Sequence, residues 1–293
     1  MVLESLLDPI NAEKRPYLMA IFGFVLTCIA TLIGYRFFSD NASLVIVGFV
    51  ALGATPLMYR IIKYEEGKDL LDLPERSLLA EHWKALKAFM FLFLGITLAV
   101  VVIYIFLPLG VEVEVFKSQH DTFVEISGVA TGRVTLNSTN SGASSSSMAL
   151  FSKIFFNNVT VLLIAIVFSF IYGAGAIFVL AWNATVIGVA IGYFIRHNVA
   201  LYAEHIGFSK VAGYFEVVAV GLTQYLIHGF VEILGFFVGA LAGGIISVAV
   251  IRHDFGTAKF EHIILDAADL LLLALGLIFF AAILEVWVTP VLF

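Results

Sequence analysis

The chain has few groups that titrate and almost none that oxidise. Cys28 is the single cysteine in 293 residues, which excludes an intrachain disulfide. Charged residues make up 13% of the sequence, about half the ~25% usual in soluble domains. The formal net charge is −6 and no Lys/Arg tract of useful length occurs, so nucleic acid is not expected as a partner. Enzyme signatures of membrane proteins are missing as well. His228 and Glu232 stand in the order H-x-x-x-E without a second histidine nearby, so no HExxH zinc site is formed. Glu65-Glu66 lacks the downstream Arg of a prenyl-protease motif, and no P-loop appears. These absences predict no catalytic residue, no metal and no cofactor. Met1 to Arg15 is mixed polar and apolar, and the first apolar run ends without a small-residue cleavage pattern. That run is therefore expected to stay as a membrane helix.

What is present is apolar. Hydrophobic residues make up 61% and the mean hydropathy is +1.04, values of an integral membrane protein. The expected fold class is all-α, a polytopic bundle of about seven transmembrane helices. Tyr17–Tyr35, Leu44–Ile62 (with Pro56 kinking its second half) and Phe89–Leu107 read as the first three spans. Between the second and third lies a solvent-facing loop, Lys63 to Lys87, whose later part reads as an amphipathic helix with Leu78, Leu79, Trp83 and Leu86 on one face. Leu109 to Lys153 is a polar excursion in which VEVEVFKSQHDTFVEI alternates like a strand, with GVATGRVTL as its hairpin partner. Asn137 to Ser147 is Ser-rich and reads as flexible, and Asn137 opens a glycosylation sequon. Asn157 to Ile195 is long enough for two helices broken at Tyr172–Gly175, with Asn158 opening the first and Asn183 inside the second. Arg196 to Ser209 reads as a polar connection, and Lys210–Leu222 as a re-entrant helix or a full span. Thr223–Arg252 is the next helix, HDFGTAKFEH a short loop, and Asp269–Val288 the last span. This divides the chain into an N-terminal three-helix region (1–108), an extracytoplasmic loop (109–153) and a C-terminal membrane domain (154–293).

Orientation follows from the short loops. Arg60, Lys63, Lys68, Arg76, Lys84 and Lys87 crowd the second loop, against Arg36 alone in the first. The N-terminus and loop 63–87 are therefore expected in the cytoplasm, with the Ser-rich loop outside the cell membrane.

The organising stretch is Thr223–Arg252. Gln224, His228 and Glu232 recur every four residues, so a helix sets them on one face. Gly235, Gly239 and Gly243 follow as a doubled GxxxG, and Gly188 and Gly192 form another. Such strips let helices approach backbone to backbone in lipid. A charged carboxylate at mid-bilayer costs roughly 2.5–3.5 kcal/mol on the insertion scale, so Glu232 demands partners. Asn158, Asn183 and Glu285 are candidates to join Gln224, His228 and Glu232 in one intramembrane polar cluster. The expected partners are the lipid bilayer and other membrane or envelope proteins, with a homo-oligomer as a further candidate.

Asn157-Asn158 at a helix start, the Gly173-Ala174-Gly175 turn, Asn183, Gly188, His228-Gly229-x-x-Glu232 and Glu285 before Thr289-Pro290 form an ordered set. From Asn157 to Pro290 it resembles the stage II sporulation protein M family. Ile227 stands where that family usually has Pro, and the first three spans carry no matching motif. The resemblance implies an integral membrane protein without catalytic activity, in spore formers part of a complex with cell-wall-degrading enzymes at the remodelling septum. Members in organisms that make no spores bar carrying sporulation over. Two functional classes follow: a scaffold of an envelope-remodelling complex, whose polar groups bond one another, or a secondary transporter or channel, whose polar groups line a path.

Overall fold

The computed structural model describes residues 12, 14–69, 75–130, 143–172, 176–199, 208–251 and 256–292. Every regular element among them is helical. In chain order these are α1 (Pro16–Phe37), a 3-10 turn (Ser39–Asn41), α2 (Ala42–Asp69) and α3 (Glu75–Phe106), then the short α4 (Val111–Val115) and α5 (Lys117–Ala130). They continue as α6 (Ala143–Tyr172), α7 (Ala176–Val199), α8 (Phe208–Ile251) and α9 (Ala258–Ile283). A π-helical turn (Leu284–Val288) and α10 (Thr289–Leu292) close the chain. Seven of these helical stretches are long and apolar enough to cross a membrane, since about 20 residues span the hydrocarbon core. The all-helical, seven-span architecture expected from composition is the one observed.

Local signals explain several ends. Pro16 starts α1 in the first turn, where its missing N–H costs nothing. Pro108 and Gly110, at φ +89°, turn the chain after α3. Thr257 caps α9 by accepting from the Phe260 N–H at 3.2 Å. This cap begins the helix inside what the sequence suggests is a loop, so the last span opens well before Asp269.

Three further expectations are corrected. The strand-like segment after Pro108 forms α4 and α5. Glu112, Val115, Phe116 and Gln119 are its buried positions, an i, i+3, i+4, i+7 stripe that overrides the V-E-V-E-V alternation. Its supposed hairpin partner falls largely outside the described residues. The second correction concerns Lys210–Leu222, which is neither re-entrant nor a separate span. It is the first third of α8, a continuous helix of 44 residues, or about 66 Å. Third, α2 runs on to Asp69, so the early part of 63–87 is also largely helix, while the helix expected in its later part is the start of α3 at Glu75. Likewise α6 takes in Ala143–Ser147, the end of the Ser-rich tract. Asn137 and residues 1–11 lie outside the described residues, as do 200–207 of the polar connection.

One apolar core runs through the bundle, with buried residues from α1 to α3 and α6 to α9. Phe237 of α8 stacks on Phe89 at 5.7 Å and meets Phe93 edge-on at 6.2 Å, tying α8 to α3. α4 and α5 lie across one end of the bundle like a collar. Gln119 donates to the Ser43 carbonyl at 3.1 Å, and Ser118 bonds Ser43 at 2.8 Å. Arg196, at the end of α7, donates to the carbonyls of Tyr104 and Leu107, both at 2.9 Å, and lies 3.5 Å from buried Glu112. One guanidinium thus closes the C-terminus of α3, where unpaired carbonyls carry negative partial charge, and fixes the collar. The collar end is also the end toward which the polar cluster lies.

Candidate functional site: an intramembrane polar cluster on α8

The cluster is built on α8, and helical arithmetic explains its shape. At about 100° per residue, positions 224, 228 and 232 and positions 235, 239 and 243 fall within one stripe about 100° wide. The sequence suggests separate polar and bare faces; on the helix they are successive stretches of the same face. Gly235 abuts Ala274 and Ile278 of α9, whereas Gly239 meets Leu162 and Ile166, and Gly243 meets Ile166 and Ser169, all of α6. The stripe drifts from α9 toward α6 as it climbs.

Glu232 points to the α6 side. The Asn158 side chain lies within hydrogen-bonding reach of its carboxyl, and Asn157 donates to the Asn158 Oδ1 at 3.3 Å. Asn158 is buried and sits midway along the α6 span rather than at a helix start, because α6 begins at Ala143. His228, nearer the α9 side, places Nδ1 3.3 Å from Thr289 Oγ1. Glu285 interacts electrostatically with Glu232. Glu285 lies in the π-helical turn, where the Thr289 N–H reaches the Leu284 carbonyl five residues back. Pro290, which follows, supplies no N–H, and the wide turn absorbs that loss. The same turn re-aims Glu285 relative to a regular helix.

Asn183 stays apart. Its amide donates to the Val179 carbonyl of its own helix at 2.8 Å, not to Glu232. The Gln224 side chain lies outside the described residues. Gly188 and Gly192 serve a different contact, facing Val100, Thr97 and Tyr104 of α3, with Thr97 donating to the Ala184 carbonyl at 3.3 Å. Asn157, Thr289, Ser169 and the Arg196–Glu112 pair are participants that sequence reasoning passed over. Ser169 donates to the Ala240 carbonyl at 2.6 Å. Ser169 and Thr97 are signalled only by their position opposite small residues.

The site has an open side. His228, Glu232 and Glu285 are half-buried, not enclosed. An aromatic patch adjoins them: Phe151 lies 5.2 Å from Trp287 and 5.5 Å from Phe279, Phe155 lies 5.7 Å from Phe279, and Phe156 is 63% exposed. Among the described residues no group of three or more His, Cys, Asp or Glu could hold a metal ion.

The model of the stage II sporulation protein M family matches residues 88–290. The chain belongs to that family. No curated protein and no solved structure matches it. The match opens inside α3, so the third span, the collar and the Ser-rich tract belong to the family region of this stage II sporulation protein M homologue. The resemblance legible from Asn157 onward was too short at its N-terminal side. The whole polar cluster, its glycine stripe and the Arg196–Glu112 clasp fall within the match.

Proposed function

We propose that this protein is a non-enzymatic membrane component of an envelope-remodelling complex, and that the open side of the α8 cluster receives a partner's transmembrane helix. The observation that carries this reading is the use of the polar groups. Asn158–Glu232 and His228–Thr289 join helix to helix, yet Glu232 and Glu285 are only half-buried. A carboxyl facing lipid is costly, and a partner helix bearing hydrogen-bond donors removes that cost. The aromatic patch beside it offers flat apolar area for the same contact. Orientation completes the reading: the N-terminus and loop 63–87 are cytoplasmic, and the collar and Ser-rich tract are extracytoplasmic.

The experiment is photocrosslinking in native membranes from a reactive amino acid at Phe156, in wild type, Glu232→Gln and Glu232→Leu. Glu232→Gln keeps the acceptor for Asn158 and is expected to keep both fold and crosslinked partner. Glu232→Leu leaves Asn158 without its acceptor, at about 1–3 kcal/mol, and is expected to lose the partner.

One observation favours a second reading. Glu232 and Glu285 are neighbouring carboxyls on different helices, the kind of pair that can relay a proton. In proteoliposomes that reading requires proton flux that vanishes in Glu232→Gln at unchanged thermal stability. Such a result would sink the scaffold.

A further inference from the structure

α6 is the least embedded of the seven spans: 17% of its apolar stretch is buried, against 82% for α8. Leu162, Ile166 and Ser169 turn one side of it to α8. On the opposite side, about 180° around the helix, Lys153, Asn157, Thr160, Ile164 and Val167 are all exposed. They are spaced 4, 3, 4 and 3 residues apart, as in a coiled-coil seam with Asn157 and Ile164 at a positions. Any helix face repeats in this way, and a wholly apolar one needs only lipid. The polar group set within this face needs a partner.

Asn157 lies midway along the span Ser147–Phe170. Its amide gives one N–H to Asn158 Oδ1 at 3.3 Å. Its own Oδ1 and its second N–H have no partner among the described residues. Thr160, on the same face, donates to the Phe156 carbonyl at 2.8 Å and has no donor left over. An amide with unmade bonds is unfavourable in lipid, and asparagine bonds across membrane helices. Two properties select the occupant. A primary amide is donor and acceptor at once, so it is satisfied by its own image. Copies inserted in one orientation meet about a two-fold axis along the membrane normal, which sets identical residues face to face on parallel helices. At an a position of such a pair, Asn faces Asn. Lys153, one turn toward the start of α6, also meets its image, but its long stem carries the ammonium out of the seam.

We propose that this protein forms a two-fold dimer through the outward face of α6, with Asn157 of one copy hydrogen-bonded to Asn157 of the second across the axis. Thr160, Ile164 and Val167 pack against their images along the rest of the seam. The seam faces away from α8, so the Glu232 side stays available to a different helix.

The test uses the purified full chain in phospholipid vesicles, with single cysteines in a Cys28→Ala background. Mild oxidation should link copies rapidly from Thr160→Cys, Ile164→Cys and Val167→Cys. Linking should be far slower from Leu163→Cys, exposed on α6 but off the seam, and from Leu272→Cys, exposed on α9. Energy transfer between donor- and acceptor-labelled copies, diluted with lipid, gives the dimer affinity. Asn157→Leu should weaken it about sevenfold, the factor for two interhelical hydrogen bonds of average strength in lipid. Asn157→Gln keeps an amide on the seam and should retain most of the affinity. If Asn157→Leu fails to fold, the cysteine pattern carries the test alone. Equal linking from Ile164→Cys, Leu163→Cys and Leu272→Cys overturns the seam. Unchanged affinity in Asn157→Leu overturns the amide pairing. In native membranes, links from Ile164→Cys to another protein with none between copies overturn the occupant.

Discussion

Gly243 offers the sharpest test of the packing. A Cβ built there lies 2.7 Å from the Ile166 carbonyl oxygen and 3.3 Å from both Ile166 Cα and Ser169 Cβ. Ordinary contact begins at 3.4 Å, so Gly243→Ala must part α6 and α8 by several tenths of an ångström. Two of the three obstructing atoms are backbone, and neither can rotate away. The parting also stretches the 2.6 Å bond from Ser169 to the Ala240 carbonyl. Overpacking costs about 1–3 kcal/mol, and an interhelical hydrogen bond in lipid contributes about 0.6 kcal/mol and at most ~1.7. The expected destabilisation is therefore about 2–4 kcal/mol.

Two other glycines calibrate the measurement. Gly239 meets first the tip of the Leu162 side chain, which can change rotamer, so Gly239→Ala should cost less. Gly276 of α9 has nothing within 4 Å of a built Cβ, and Gly276→Ala should be neutral or gain up to about 1 kcal/mol of helix propensity. Equilibrium unfolding in mixed dodecyl maltoside and SDS micelles, followed by tryptophan fluorescence, ranks the three. Parity between Gly243→Ala and Gly276→Ala would refute the close approach of α6 to α8.

Other outcomes follow from the collar, the orientation and the π turn. Arg196→Ala strands buried Glu112 and should cost about 3–5 kcal/mol, while the double variant Arg196→Ala/Glu112→Ala should recover part of that loss in the same unfolding assay. In a Cys28→Ala background, Ser145→Cys should react with an impermeant maleimide only from outside the cell and Glu75→Cys only from inside; reaction of both from one side would invert the proposed orientation. Pro290→Ala restores an N–H and should let the π turn tighten, turning residue 285 away, so oxidative crosslinking of Glu232→Cys with Glu285→Cys in that background should slow several-fold. An unchanged rate would mean that the proline does not set the turn.

The long apolar helices were legible because their signal is summed over some twenty residues and needs no partner. The division of Asn157–Ile195 into two helices, one ending at Tyr172 and the next beginning at Ala176, is legible for the same reason: 39 residues exceed one span. What misled was short and local. V-E-V-E-V gives two turns' worth of evidence for a strand, yet Glu112 is buried against Arg196, a residue 84 positions away in the chain, and no local pattern announces that pairing. Lys210–Leu222 looked equivocal because Glu216 interrupts it, but a helix about 66 Å long extends beyond a core about 30 Å thick. Val211 and Phe215 are exposed along that stretch. Asn183 shares residue type and a place in the ordered motif with the cluster residues, yet its amide bonds the Val179 carbonyl of its own helix. Whether an amide reaches across to another helix or back to its own i−4 carbonyl depends on side-chain direction, which spacing does not encode.

The stripe on α8 joins the two halves of this reading physically. Glu232 reaches Asn158 only because α6 runs close beside α8, and that separation is set by Gly239 and Gly243 further along the same face. α6 and α8 advance in the same direction: 158 meets 232, 162 meets 239, and 166 meets 243. The bare contact and the polar one are therefore two points on one parallel helix pair, and loosening the first must lengthen the second. Residues coupled through a shared backbone shift show interaction energies of about 0.5–3 kcal/mol. The glycines and Glu232 should thus fail additivity. Once Gly243→Ala has parted the helices, Asn158 no longer spans the gap, and Glu232→Leu has less left to remove. A glycine strip that served only to bring helices together, with the polar cluster elsewhere on the surface, would leave the two substitutions independent.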